Sequence, residues 1–186
     1  RLDVIICQIF PDPEVRKCYL SIMFEGVTGN QVEKFILANG SGRNGKGLIN
    51  ELYSIMLGND YYYKLPVDVL TTKTDLSKGA SPQVANMDNK RFILSSEPEE
   101  GSSLQMGFIK DITGATTINA RQLYSGDCAV RMKQIQVLEC NKKPSIKGVI
   151  GEAVCDRLID VPFVSHFTVD ESKWNVADNI YPLNEH

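Results

Sequence analysis

Apolar side chains recur at spacings of three and four between Val15 and Met23, with Val15, Cys18, Tyr19, Ile22 and Met23 on one helical face behind Asp12-Pro13. Asp12 is a good N-cap and Pro13 suits the first helical position, so the pattern predicts an amphipathic helix that stops at Gly26. Phe35-Ile36-Leu37-Ala38 is a short unbroken apolar run leading into Asn39-Gly40-Ser41-Gly42. That is the pattern of a buried strand entering a glycine-rich turn. A helix should follow, with Leu48, Ile49, Leu52, Tyr53 and Met56 as its buried face and Gly58-Asn59-Asp60 as its end.

Residues 61–89 are polar and mixed, and Thr71-Thr72-Lys73-Thr74 and Ser77 to Pro82 predict loops between short helical pieces. Arg91-Phe92-Ile93-Leu94-Ser95 predicts a second buried strand, ending in the acidic cluster Glu97-Pro98-Glu99-Glu100. Ser102 or Ser103 is expected to cap a helix running through Leu104, Phe108 and Ile109. Thr116 to Tyr124 and Ala129 to Cys140 predict two extended stretches joined as a hairpin around Ser125-Gly126-Asp127. A loop and short helix over 148–160 and a last strand over Leu158 to Phe163 complete the pattern, with no internal repeat or low-complexity tract.

Composition narrows the class. The chain has 186 residues, 42% hydrophobic and 23% charged, and a formal charge of -3, so a core can form without disulfides or metals and no global basic field is present. Cysteines 7, 18, 128, 140 and 155 show neither Cys-x-x-Cys spacing nor paired histidines, which fits reduced thiols better than a zinc site. The longest apolar runs reach four or five residues and the first residues show no signal peptide, so no membrane association and a cytoplasmic compartment are expected. The chain begins at Arg1 without Met and reads as a piece of a longer polypeptide. His166, His186 and Trp174 have no partners at catalytic spacing and receive no role.

Gly40-Ser41-Gly42-Arg43-Asn44-Gly45-Lys46 matches G-x-x-x-x-G-K, set between a predicted strand and a predicted helix. Glycines let consecutive N–H groups turn inward, and these donors, the positive helix end and the Lys46 ammonium converge on phosphate oxygens. A glycine-rich turn with a solvated lysine is the bland alternative. Where the motif usually offers a Ser or Thr hydroxyl to Mg²⁺, this chain has Gly47, which leaves that position to water. Glu97, at the end of a strand expected beside the loop, is the candidate acid to hold Mg²⁺ through water or orient the attacking water, with Glu99 behind it.

Taken in order, these blocks resemble the ATPase domain of superfamily 3 helicases, and within it the primase-helicases of large cytoplasmic DNA viruses and certain bacteriophages. Gly40 to Lys46 matches motif A, Arg91 to Glu97 motif B, Lys110-Asp111-Ile112-Thr113-Gly114 through Ala120-Arg121-Gln122-Leu123-Tyr124 motif B prime, and Val137 to Pro144 motif C. The resemblance covers about residues 35–163. It implies an α/β fold: a P-loop NTPase, AAA+-like core with a mostly parallel central sheet flanked by helices and a DNA-facing β-hairpin. It further implies ATP and Mg²⁺ as cofactors, with Lys46 on the β and γ phosphates, Glu97 as the motif B acid, Asn141 as the polar sensor and Arg157 as an arginine finger reaching a neighbouring subunit. Gly40, Ser41, Gly42, Arg43, Asn44, Gly45, Lys46 and Gly47 would cradle the nucleotide.

Between Lys110 and Lys147 stand seven basic and three acidic residues, a local net of +4 in an acidic chain. Arg131 and Lys133 alternate with Val130 and Met132 and so share one face. With Arg121 they are the candidate contacts to the phosphates of single-stranded DNA in the channel of a ring, expected to be a hexamer. The division expected is a helical lead-in over 1–30, the ATPase core over 31–170 and a C-terminal extension over 171–186, with a primase domain fused or associated outside the chain. The location implied is host cytoplasm or a viral replication site. Two alternatives stand beside the helicase motor: a small P-loop nucleotide kinase or phosphotransferase, and a nucleotide-binding assembly module with weak hydrolysis.

Overall fold

The structure is a computed structural model that describes residues 2–73, 81–121, 127–147 and 151–183. Its centre is a five-stranded sheet made of β1 (Phe35–Asn39), β2 (Tyr62–Lys64), β3 (Phe92–Ser96), β7 (Ile135–Cys140) and β9 (Leu158–Pro162), in the order β2-β3-β7-β1-β9. All four pairings are parallel. Central β1, β3 and β7 are buried over nearly their whole length, as a sheet covered on both faces requires.

Alternation along the strands divides the core. Ile36, Phe92 and Val137 face a layer that holds Ile9, Phe10, Tyr19, Met23 and Ile49. This layer comes from α1 (Leu2–Ile9), α2 (Pro13–Thr28) and α3 (Lys46–Tyr61). Phe35, Ile93 and Leu138 face the other layer, with Leu104, Ile109, Ile112, Ile118 and Val130. That side is built by α4 (Asp68–Thr71), α5 (Pro82–Ala85), β4 (Ser103–Gln105), α6 (Met106–Gly114), the antiparallel pair β5 (Thr117–Arg121) and β6 (Asp127–Arg131), β8 (Ser145–Lys147) and α7 (Glu152–Cys155). Beyond β9, β10 (His166–Thr168) pairs with β11 (Ile180–Pro182).

Several expectations are corrected. The α2 helix does not stop at Gly26; it runs on to a left-handed Gly29 cap. Gly26 is inside because a Cβ there would lie 2.6 Å from Cβ of Ile135, so the missing side chain lets the helix sit directly on β7. In α3 the buried side is not the Leu48, Leu52 and Met56 stripe, since all three are exposed, while Lys46, Ile49 and Asn50 are buried. The phosphate loop sets the phase: Lys46 must turn inward, and residues three and four further on follow it. The α3 helix kinks at Gly58 (φ 60°, ψ -176°) and continues to Tyr61.

Short β2 was not expected in the polar stretch after α3. Ser103 opens strand β4 rather than capping a helix, and α6 begins only at Met106 without a side-chain cap. The second extended stretch is two strands: β6 belongs to the hairpin, while β7 crosses into the central sheet between β3 and β1. The predicted turn at Ser125 and Gly126, the loop from Thr74 to Ala80, Gly148 and His186 lie outside the described residues. Leu158–Pro162 is a strand as expected but not the last, because β10 and β11 follow.

Candidate nucleotide site

Every strand of the central sheet ends at one edge, and the loop after β1 lies there. Lys46, only 7% exposed, opens α3, and its ammonium donates to the carbonyl of Gly40. The loop curls by left-handed residues: Arg43 has φ 60° and Gly45 φ 90°. At Gly40 (φ 152°) a Cβ would stand 2.4 Å from the carbonyl oxygen of Phe163, so only glycine passes there. Asn44, buried, pins the curl by accepting from the Lys46 N–H and donating to the Phe163 carbonyl, both at 3.4 Å. Gly40 N–H donates to the Cys140 carbonyl at 3.2 Å and thereby ties the loop to β7.

Two further strand ends deliver the polar groups. Glu97, left-handed at φ 55°, follows β3, and Asn141 follows β7. The Asn141 amide donates to both carboxylate oxygens of Glu97 at 3.4 Å. They line one cavity of about 520 Å³ with Glu99, Lys142 and Lys143. Burial lowers the Lys46 pKa from its ordinary value, opposed by the charges of Glu139, Cys140 and Glu97. A buried ammonium whose hydrogen-bond partner is a backbone carbonyl is a cation ready for an anion. The donor set therefore fits a polyphosphate. Gly47 is exposed and a Cβ there would meet nothing within 4 Å. Glu97 can hold Mg²⁺, which commonly takes one or two carboxylates and completes its shell with phosphate oxygens and water.

Sequence reasoning missed Glu139 and Asp160. Glu139 lies between Ala38 of β1 and Ser96 of β3, accepts from Ser96 Oγ at 3.2 Å, and is the largest of the charges that support Lys46. Its signal was a lone acid at the end of a buried strand, two residues before Asn141. Asp160 accepts from the Asn39 amide and pairs with Lys143, bracing β1, β9 and the segment after β7.

Other predicted residues lie apart from the loop. Arg157 precedes β9, and its carbonyl accepts from the N–H of Phe35 at 2.7 Å, which puts it at the start of β1 and the opposite edge of the sheet. Its guanidinium donates to the Ala153 carbonyl at 2.8 Å and to Glu33 at 3.5 Å. Arg121 of β5, Arg131 at the end of β6 and Lys133 in the segment between β6 and β7 are exposed while Val130 and Met132 are buried, as alternation required. Arg131 makes a fork with Asp88: its N–H and Nε donate to Oδ1 at 2.8 and 3.2 Å, and a terminal nitrogen donates to Oδ2 at 3.0 Å. That contact lowers the Asp88 pKa.

Parallel sheet, glycine-rich loop, buried lysine and paired strand-end Glu and Asn define a P-loop nucleoside-triphosphatase domain. No protein-family profile matches the chain. It is 34% identical over 161 residues to the Acanthamoeba polyphaga mimivirus protein named "Putative helicase L207/L206", a match covering 86% of the chain. A Frog virus 3 protein named "Putative helicase 022R" is 29% identical over 172 residues, 90% of the chain, and "Primase D5" of Fowlpox virus is 27% identical over 179 residues, 92% of the chain. The chain spans 17%, 18% and 22% of the lengths of these three relatives. In fold it is similar to the C-terminal region of NrS-1, with TM-score 0.62, 11% identity, and coverage of 95% of this chain and 40% of that one. It is also similar to JCV helicase, with TM-score 0.50, 11% identity and coverage of 84% and 43%. Over most of its length the chain is thus similar in sequence to parts of large-DNA-virus proteins named as helicases and as a primase. Among the described residues no helix is long and apolar enough to cross a membrane.

Proposed function

We propose that the chain is the ATP-hydrolysing motor core of a replicative primase-helicase that moves along single-stranded DNA as a homo-oligomeric ring, a hexamer by the family resemblance. The observation that carries this reading is the meeting of Lys46, Glu97 and Asn141 at one edge of a parallel sheet. Relatives named as helicases and as a primase support it, and imply a primase elsewhere in the same polypeptide or assembly.

Loop N–H groups and the Lys46 ammonium bind the β and γ phosphates, replacing the Gly40 carbonyl on the lysine. Mg²⁺, held by Glu97 through water and by phosphate oxygens, would neutralise charge developing on the transferred phosphoryl group. Glu97 orients the attacking water and accepts its proton. The Asn141 amide, which donates and accepts, holds Glu97 before the reaction and senses the γ phosphate. Arg157, on leaving Glu33, would act on the nucleotide of a neighbouring subunit. Arg121, Arg131 and Lys133 would meet DNA phosphates, Arg131 exchanging Asp88 for one of them.

The test is ATP hydrolysis with and without single-stranded DNA, beside Lys46→Ala and Arg157→Ala. A motor shows DNA-stimulated turnover lost in both variants, and mixing the two restores part of it if Arg157 acts across an interface. Turnover indifferent to DNA would overturn the motor reading. Arg131→Ala should weaken DNA binding and reduce the salt slope by about 1.

A further inference from the structure

Residues 81–89, from the residue before α5 to the turn after it, strap the β5–β6 hairpin at both of its ends. At one end the Ser81 N–H donates to the Arg121 carbonyl at 2.7 Å, and the Arg121 N–H donates to Ser81 Oγ at 3.2 Å. At the other, where Arg131 stands opposite Thr117, the Asn89 N–H donates to the Arg131 carbonyl at 3.3 Å. Asn89 is left-handed at φ 57°, and this turn brings the side chain of Asp88 and the main chain of Asn89 to the same residue.

The Asp88 carboxylate is surrounded as a phosphate would be. Oδ1 accepts from the Arg131 N–H at 2.8 Å and from its Nε at 3.2 Å. Oδ2 accepts from a terminal guanidinium nitrogen at 3.0 Å and from the Asn89 side-chain amide at 3.2 Å. The two guanidinium bonds form the planar fork that holds carboxylate and phosphate alike. An isolated exposed ion pair contributes little, but two-point geometry and the added main-chain donor set this one apart. Hydrogen bonding from the Arg131 side chain keeps Asp88 below the ordinary carboxylate range, so it is ionised at neutral pH.

The fork can open without disturbing the hairpin. Main-chain bonds from Ser81 and Asn89, together with buried Ile118, Val130 and Met132, hold the strands whether or not the guanidinium is engaged. The Arg131 and Asp88 side chains are 57% and 34% exposed, so a ligand reaches the guanidinium from solvent and only the arginine side chain has to turn. Lys133, two residues further on, is exposed as well.

We infer that Asp88 is an internal competitor for the phosphodiester backbone of single-stranded DNA: its carboxylate occupies the Arg131 guanidinium in the free chain, and a backbone phosphate takes its place in the complex. The inference rests on the reading of Arg131 as a DNA contact. Every phosphate seated on Arg131 must first break the fork, which lowers the affinity of this surface and keeps the guanidinium occupied when no strand is bound.

Fluorescence anisotropy of this chain with labelled oligo-dT tests the inference. Asp88→Asn, which keeps an oxygen for the Arg131 N–H and removes the charge, binds several-fold tighter than the parent chain. In an Arg131→Ala background the same substitution brings no such gain, because nothing is left to compete for. This coupling separates competition from the plain removal of a repelling charge. Unchanged or lower affinity in Asp88→Asn, or a gain of the same size in the Arg131→Ala background, overturns the competitor role. Thermal melts verify folding. If Asp88→Asn does not fold, the unaltered chain decides: saturating oligo-dT moves the carboxyl-carbon NMR signal of Asp88 toward its position in Arg131→Ala, and an unmoved signal overturns the inference. Arg131→Ala alone reports on the underlying reading. It binds oligo-dT more weakly if Arg131 meets the strand, and parental affinity overturns that reading and the competitor role with it. A weakened Arg131→Ala beside an unimproved Asp88→Asn removes the competitor and leaves the contact.

Discussion

Asn141 donates its amide to both carboxylate oxygens of Glu97 at 3.4 Å, across a gap between the ends of two parallel strands that adjoin in the sheet. Neither residue is near the other in sequence. The register Ser96↔Glu139, with the Glu97 N–H donating to the Glu139 carbonyl at 3.0 Å, holds the two strand ends level. Glu97→Gln keeps the shape and removes the base. Nucleotide binding should persist while hydrolysis falls by roughly 100-fold or more, the loss expected of a missing general base. Asn141→Ala should lower turnover with a smaller effect on binding. Single-turnover hydrolysis beside equilibrium titration tests both, and normal turnover in Glu97→Gln would remove it from the mechanism.

Lys46 governs the alkaline limb. Its pKa is lowered chiefly by burial, with Glu139, Cys140 and Glu97 pulling the other way. A depressed lysine loses its proton at a pH below that of an ordinary lysine, so the native chain binds fewer protons than the unfolded chain in the interval between the two values. The stability cost of burying the ammonium is therefore present below that interval and is relieved as pH rises through it. Triphosphate affinity moves oppositely, falling as pH rises through the lowered value because the bound anion needs the charge. Lys46→Arg should flatten the affinity profile on the alkaline side, below the ordinary lysine value of about 10.4. An identical profile in both proteins would place the titrating group elsewhere.

Gly47 leaves room for the hydroxyl that its position usually carries. A Cβ there touches nothing within 4 Å, so Gly47→Ser, in the first turn of α3, should fold normally with a change in stability of no more than about a few tenths of a kcal/mol. The added oxygen should reduce the Mg²⁺ concentration for half-maximal hydrolysis several-fold. A Mg²⁺ titration of both proteins checks this. An unchanged midpoint would mean the metal sits beyond reach of residue 47.

Gln136 is 1% exposed and neither amide atom has a hydrogen-bond partner. It stands in β7 beside Phe35 of β1 and Ile93 of β3, in an apolar layer. Gln136→Leu removes two unsatisfied polar atoms at similar volume and should stabilise the fold by about 1–3 kcal/mol. Denaturant titration measures it, and a loss of stability would show that the amide has a partner in solution.

Much of this domain was legible along the chain because its decisive features are local. Phe35 to Lys46 carries strand, glycine-rich turn and lysine in twelve consecutive residues, and hydrophobic run length and glycine placement suffice to read them. The acid after β3 was legible for the same reason, as a polar residue closing a buried strand, whereas the asparagine after β7 was legible only through the resemblance to a known family. Sequence determined the candidate phosphate seat, the two acceptor strands and the alternation that turns Arg131 and Lys133 outward.

Tertiary structure alone decided what depends on contacts between distant segments. Periodicity could not choose between the two apolar stripes of α3, because both satisfy a 3.6-residue repeat; packing Lys46 against the Gly40 carbonyl chose the one with Ile49. Nor could it foresee that β7 leaves the hairpin for the middle of the sheet, since a buried strand reads alike in either place. The Arg131–Asp88 fork and the setting of Arg157 at the opposite edge join residues dozens to more than a hundred positions apart. Such meetings are fixed by the three-dimensional path of the backbone, and no pattern of neighbours along the chain encodes them.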